Sequence, residues 1–408
     1  MIGPHGKYAW WEVEVRDDVS AWSVGPIGRA TLVSLVAVLL ACNSGEDRPQ
    51  TRNVPVGTPV AIEPVPTLSV GLVQGDPNQE FDRVVTPFLL ADGRLVVPVA
   101  GASSIRVFDE HGAFAYSLGR AGAGPGEFRS LSAGWSRGDT IEAFDSRLNR
   151  ITRFVPGGSV DVVALRSEMG DLSAVAGPVP DGWIAGGVAS AGVGRRDSIA
   201  LRWFDRTGTD RGAVGMVEGF ARYRTPVLTG PEPLSPRPLL QISQGRAYVA
   251  ESLTPAIRVL TPAGTLEREI VWQAETPYSG QDVVRVVVDS AVSQTHPDRA
   301  AAFRQHLEAA VVPERLSVFW KFIVDDNGFI WIRPFEAVKH AAALGGLGLA
   351  GGGPGGRWSV LSPDGNVVGT VDVPDELEIL SITSDAVVGI SRDTLGVEVV
   401  RVHHLERR

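Results

Sequence analysis

Apolar and polar positions along this chain repeat one small unit six times: a tight polar turn, then a short run of apolar, aromatic or β-branched residues. The copies are Asp92-Gly93-Arg94-Leu95-Val96-Val97, Gly138-Asp139-Thr140-Ile141, Asp181-Gly182-Trp183-Ile184, Gln244-Gly245-Arg246-Ala247-Tyr248-Val249, Asn327-Gly328-Phe329-Ile330-Trp331-Ile332 and Ser384-Asp385-Ala386-Val387-Val388. Glycine occupies or adjoins the turn in five of them, where a two-residue hairpin needs a positive φ that costs glycine little. One hairpin cannot bury its own apolar face. Hairpins recurring at intervals of roughly 45 to 80 residues therefore predict an array of small packed sheets.

A second signal runs in phase with the first. Phe108-x-x-x-Gly112, Phe154-x-x-x-Gly158, Phe204-x-x-x-Gly208, Leu260-x-x-x-Gly264 and Leu361-x-x-x-Gly365 each end a third strand on an apolar residue and close the turn into a fourth with glycine. The clearest unit has strands at about 85–90, 94–99, 104–108 and 113–118. The C-terminal unit supplies only three, at about 377–382, 386–391 and 397–404, while Thr67–Val73 is an orphan at the other end. A ring of sheets must close or leave an exposed edge, so the orphan is expected to complete the last unit. The predicted fold class is all-β, a six-bladed β-propeller over 67–408. Two insertions stretch the spacing between Leu260 and Leu361. One spans about 279–313, with helical composition in Pro297–Ala310; the other is the glycine-rich loop Leu344–Gly356.

The N-terminus changes the picture of where the protein works. Thr31–Ala41 is an apolar run of signal-peptide length, too short to span a bilayer comfortably, and Leu39-Leu40-Ala41-Cys42 reads as a bacterial lipobox. The plainer alternative is a buried strand ending in an ordinary free cysteine. The polar stretch that follows favours cleavage before Cys42 and acylation of its thiol, and a mature chain with no other cysteine enters an oxidising compartment without disulfide risk. Glu12, Glu14, Asp17 and Asp18 stand where a signal sequence should be basic, which suggests translation beginning near Val24. The expected organisation is a signal peptide over 1–41, a proline-rich disordered tether over 42–66, and the propeller. The chain would then be lipid-anchored on the periplasmic or extracellular face of the cell envelope, with the membrane as one partner.

Composition excludes some partners. With 44% hydrophobic residues, 47 glycines and 28 prolines the chain is globular and turn-rich, and a net charge of −9 argues against nucleic acid.

At Ser117-Leu118-Gly119-Arg120-Ala121-Gly122-Ala123-Gly124-Pro125-Gly126-Glu127-Phe128 the chain resembles the NHL-type six-bladed β-propellers of bacteria, in which a Leu-Gly strand end leads through a glycine-rich stretch to Gly-Glu-Phe. Phe329–Arg333 and Arg357–Gly365 resemble a later blade of the same family. The resemblance covers about 67–405 and implies the fold. Its members include scaffolds, ligand binders, lyases and lactonases, so it implies no single activity.

Candidate chemistry is sparse. Gly346-x-Gly348-x-x-Gly351 has dinucleotide-fingerprint spacing, but Gly352-Gly353-Pro354-Gly355-Gly356 cannot begin the helix that chemistry needs. Asp325-Asp326-Asn327-Gly328 offers calcium-type oxygens without EF-hand spacing, and a hairpin turn explains it as well. Histidines are scattered, no metal site is assigned, and no cofactor is expected. Catalytic residues are not assigned either. Glu127, Asp145, Glu251 and Asp326 come from different blades and would be the acids of a metal-dependent hydrolase or lyase at the channel mouth.

Arg222, Arg237, Trp320 and Arg333, near Phe220, Tyr223 and Lys321, are cationic and aromatic groups from separate blades. Gathered at one mouth they suit an anionic or carbohydrate-like ligand, or a protein partner. Scattered, they are solvated arginines beside strand aromatics. The leading expectation is a binding or scaffold module. Its long segments 218–237, 279–313 and 334–356 are expected to share one side, with those four residues exposed as recognition groups.

Overall fold

The turns that punctuate the sequence form as expected. Gly93, Gly138, Gly182, Gly245 and Gly328 all have positive φ, and each turn joins the first two strands of a sheet. The Phe/Leu-x-x-x-Gly turns share a second geometry. In each, the residue after the apolar one both donates to and accepts from the turn: Asp109 N–H to Ala113 O (2.9 Å) and Gly112 N–H to Asp109 O (3.0 Å) in the first, Thr261 to Thr265 and Gly264 to Thr261 in the fourth. Register slips at Phe108, Phe204, Leu260 and Leu361, the bulge expected when glycine in the left-handed region closes a hairpin.

The computed structural model describes residues 60–407, apart from 73–74, 171, 173–174, 190–195, 225–228, 232–234, 275–280, 294–296, 310–314, 337–354 and 394–395. It is a six-bladed β-propeller. Each blade is an antiparallel meander numbered outward from the axis. Blade 1 comprises Phe88–Leu89, Leu95–Val99, Ser104–Phe108 and Phe114–Leu118, and blade 2 Leu131–Arg137, Thr140–Asp145, Arg150–Phe154 and Val160–Ala164. Blade 3 has Val175–Val179, Gly182–Ala189, Arg196–Asp205 and the long Asp210–Arg224, edged by Thr229–Pro231. Blade 4 has Pro238–Ser243, Arg246–Glu251, Ala256–Leu260 and Leu266–Val271; blade 5 has Phe319–Val324, Ile330–Pro334, Gly356–Leu361 and Val367–Val373.

Blade 6 is built from both ends of the described chain. Glu378–Ile382, Ala386–Arg392 and Glu398–Arg407 come from the C-terminus, and two N-terminal strands share the outer edge. Leu68–Val70 pairs with Val400–Val402, as expected of the orphan strand. Val60–Ile62 pairs with Leu405–Arg407 as well, so the sheet begins within the stretch read as tether. Val60 and Ile62 are buried there, which a wholly solvated tether could not provide. The signal peptide, Cys42 and the tether before residue 60 lie outside the described residues.

Six hydrophobic clusters occupy the six seams between blades. Leu95, Val97 and Val99 pack with Val388, Ile390 and Val400 across the seam of blades 6 and 1, while Val96 turns to Leu131 and Ile141 in blade 2. Alternate residues of one strand thus enter different seams, and both must be apolar. This is why the second strands read as unbroken apolar runs. Near the axis the innermost strands crowd: a Cβ on Gly177 would lie 2.5 Å from Ile242 Cβ in the next blade.

Between blades 4 and 5 stand two helices, α1 (Gln281–Ser293) and α2 (Pro297–Ala309). Only the second was legible from composition. In α1, Val284, Val288 and Val292 recur at i, i+4, i+8 and pack with Phe303, and Asp289 pairs with Arg304 at 2.7 Å.

Candidate functional site

At the centre of the ring the innermost strands leave a cavity of about 370 Å³ to which every blade contributes, with Thr86, Trp135, Gly177, Gln241, Lys321 and Leu380 among its lining. Lys321 is the one cation lining it among the described residues. Its Nζ donates to Ile379 O at 2.7 Å in the neighbouring blade. Burial pushes its pKa down, Glu378 opposes that shift and Arg333 adds to it.

Lys321 follows an irregularity. Phe319 pairs with Pro334 and Lys321 with Arg333, so Trp320 is an extra residue unmatched by the second strand. Such bulges re-aim side chains. The Trp320 ring stacks on Phe335 (centroids 5.9 Å apart, 28° between planes), and the Arg237 guanidinium carbon lies 3.8 Å from the Trp320 ring centroid. Arg237 also sits 5.8 Å from the Phe220 ring. Its backbone is held where blade 4 begins, Arg237 N–H donating to Ser252 Oγ at 2.7 Å, and Ser252 in turn hydrogen-bonds Ser317 at 2.7 Å. Burial pushes the Arg237 pKa down to about 10, which leaves it cationic at neutral pH.

These groups lie at one end of the channel. In an antiparallel four-stranded blade the first strand starts, the second ends and the last ends on the same side. Arg237 precedes the first strand of blade 4, Trp320 is near the start of blade 5, Arg333 and Phe335 are at the end of its second strand, and Phe220 is late in the outer strand of blade 3. The strands bounding the three long segments end on this same side, although 225–228, 232–234 and most of the third segment, 337–354, lie outside the described residues.

Two of the four sequence-predicted residues are in direct contact, Arg237 and Trp320. Arg333 joins them through the same blade, opposite Lys321. Arg222 falls in the distal part of the blade 3 outer strand, in register with Pro231. The expectation that these are exposed groups needs correcting: Trp320 is 5% and Arg333 3% exposed. Arg333 feels Glu378 and Glu336, which oppose the lowering of its pKa by burial. Glu378 binds Arg392 at 2.8 Å; Arg392 also binds Glu398, whose other oxygen accepts Val84 N–H at 2.6 Å. Sequence reasoning passed over Phe335 and Glu378. Lys321 carried a readable signal, a lysine inside the otherwise apolar run Phe319–Val324.

The acids considered for a metal site do not converge. Glu127 bends back into its own glycine-rich loop, accepting Gly124 N–H at 2.7 Å and Arg120 Nε at 2.9 Å. Asp145 accepts Arg129 N–H at 2.6 Å and the amides of Arg147 and Leu148. Glu251 pairs with Arg196, and burial beside Asp325 and Asp385 raises the pKa of Asp326. Among the described residues no three His, Cys, Asp or Glu side chains gather as a metal site would require. The dinucleotide-like glycines at 346–351 lie outside the described residues.

No protein-family model and no curated protein sequence matches the chain. Solved structures do. A protein from Bacteroides fragilis that bears the name of an exported protein aligns at 10% identity over 86% of this chain and 95% of its own, with a TM-score of 0.46. A member of the DUF4221 family from Bacteroides vulgatus aligns at 9% identity over 86% and 99%, with a TM-score of 0.49. Virginiamycin B lyase from Staphylococcus aureus aligns at 8% identity over 82% and 98%, with a TM-score of 0.39. Likeness this distant assigns neither an activity nor a ligand.

Proposed function

We propose that this chain is an NHL-type propeller acting as a binding module of the bacterial cell envelope, lipid-anchored through Cys42, with its recognition site at the channel mouth formed by Arg237, Trp320 and Phe335. Arg333, opposite Lys321 in the same blade, belongs to the same site, and Arg222 is assigned to it only by its place late in the outer strand of blade 3. The observation that supports this reading is the Arg237 guanidinium stacked 3.8 Å from the Trp320 ring and backed by Phe335, beside a channel whose wall carries Lys321. Stacked arginine and aromatic groups suit a ligand with an anionic group and a flat or sugar-like body. The hydrolase or lyase alternative has no comparable observation behind it, because its four acids hold backbone amides or arginines or lie apart.

Glucuronate, which carries a carboxylate on a sugar ring, tests the reading against glucose, which lacks it. Calorimetric titration should show glucuronate binding the wild type and glucose binding far more weakly. Trp320→Ala should weaken glucuronate binding about tenfold or more, the scale of a lost desolvated stacking contact. Equal affinity in wild type and variant, or no uptake of glucuronate, would remove the support for a mouth site.

A further inference from the structure

Arg333 is a buried guanidinium with an unused edge. It is 3% exposed, and its Nε and Nη2 have no hydrogen-bond partner among the described residues. Those two nitrogens are the pair whose N–H bonds run side by side, the edge that grips a carboxylate with two parallel bonds. The same molecule shows that edge gripping both oxygens of a carboxylate elsewhere. Arg202 places Nε and Nη2 on Asp210 at 2.9 Å each, and Arg357 places them on the two oxygens of Asp372 at 2.7 and 3.0 Å. At Arg333 the fork is formed and neither nitrogen meets an acceptor among the described residues.

Neighbouring acids do not fill it. Glu378 gives its Oε2 to Arg392 at 2.8 Å, and Arg392 turns its Nε and Nη2 to Glu398. Glu336 is close enough to influence Arg333 electrostatically but makes no bond to either orphaned nitrogen. Across the strand pair stands Lys321, on the same sheet face because the two residues are directly opposite. Burying an arginine fork without an acceptor is costly, and a second cation beside it adds to the cost.

We infer that Arg333 receives a ligand carboxylate side-on through Nε and Nη2, with Lys321 as the second cation of the site. The inference rests on the proposed mouth site and deepens it by naming the anionic group and the residue that holds it. Three features favour a small carboxylate. The unused edge matches two oxygens in one plane, Phe335 two residues on supplies a flat neighbour stacked on Trp320, and the channel wall begins at Lys321. A phosphate shares part of this chemistry and is the competing outcome.

The test uses the folded chain from residue 43 onward, with benzoate and inorganic phosphate as separate probes at constant ionic strength. Arginine Nε–H resonances in ¹⁵N NMR report the fork directly. Benzoate should shift the Arg333 resonance in a saturable way, and Arg333→Lys, which keeps the charge and removes the fork, should weaken binding about tenfold or more. Circular dichroism establishes that the variant is folded; should it not fold, the wild-type resonance still decides. No saturable shift, or equal benzoate affinity in the lysine variant, overturns the inference. Phosphate binding that displaces benzoate and shifts the resonance more strongly overturns the carboxylate assignment. If Arg237→Ala and Trp320→Ala abolish binding and Arg333→Lys does not, the mouth site stands and the fork fails. The reverse pattern keeps the fork and removes the mouth.

Discussion

Arg407, at the end of the last strand, donates from Nη2 to Asp325 Oδ2 at 2.5 Å, tying blade 6 to the hairpin turn of blade 5. Asp325 is fully buried and also accepts Trp331 Nε1 at 2.8 Å and the backbone amides of Asn327 and Phe329 at 2.9 Å. The carboxylate thus shapes the turn, positions a buried tryptophan and holds the end of the chain. Its neighbour across the seam reinforces the link, with the Arg407 guanidinium 5.1 Å from the Phe329 ring.

Removing that carboxylate should be severe. Asp325→Ala leaves Trp331 Nε1 without its acceptor and a largely buried arginine without its counter-charge, and breaking a buried pair from one side costs about 3–5 kcal/mol. Denaturant unfolding of Asp325→Ala should show a midpoint shift of that order with an unchanged slope. Arg407→Ala should cost less, because Asp325 keeps its three other donors. Equal and small effects from both variants would mean the contact is not coupled to the seam.

Closure of the ring gives a second expectation. A chain starting at Asp76 lacks both N-terminal edge strands, exposing Val400–Val402 and Leu405–Arg407 as an unpaired edge. It also removes Val60 and Ile62 from the seam of blades 5 and 6 and Val70 from the seam of blades 6 and 1. Light scattering and thermal unfolding should show aggregation or a broadened transition in the truncated protein. A sharp transition at the wild-type temperature would show that the edge strands are dispensable.

The blades were legible because their signal is local. A positive-φ turn selects glycine and a twofold-buried strand selects an apolar run, so Gly245 and Leu95–Val99 can be read without knowing their neighbours. Helix α1 was hidden because Val283, Val284, Val286, Val287 and Val288 have the composition of a strand. Only the packing of Val284 and Val288 with Phe303 in the second helix decides the matter. The site was half legible. Arg237 and Trp320 were chosen as residue types, but the bulge that turns Trp320 toward Arg237 is a register effect between strands, invisible in either one. The nearness of Arg333 to Glu378 in blade 6 is likewise invisible in either strand alone.

The anchor is a separate expectation, since Cys42 lies outside the described residues. Cys42→Ser should move the protein from the membrane fraction to the soluble fraction of its bacterial host, and metabolic labelling with palmitate should disappear with it. One acyl chain binds membranes only marginally, so the wild type should carry more than one. An unchanged distribution would remove the lipid anchor from the proposed function.

Acid should loosen the closing strand at His403. This ring is 1% exposed and its Nδ1 lies 2.8 Å from Glu63 O, so Nδ1 carries the proton and donates it. Nε2 has no hydrogen-bond partner among the described residues. Burial pushes the pKa below the ordinary histidine value; the Glu63 carbonyl opposes the shift and Arg401 adds to it. The folded protein therefore binds this proton less readily than the unfolded chain, and unfolding takes a proton up. Stability from His403 is complete above the unfolded value of about 6.5 and falls as the pH drops toward the lower folded value. The loss approaches about 1.4 kcal/mol per pH unit in that window, the linkage limit for one proton. Denaturant midpoints of the wild type should decline from pH 7.5 to 5, and those of His403→Leu, though lower at neutral pH through loss of the Glu63 bond, should decline less steeply. Parallel slopes in the two proteins would place the acid sensitivity elsewhere.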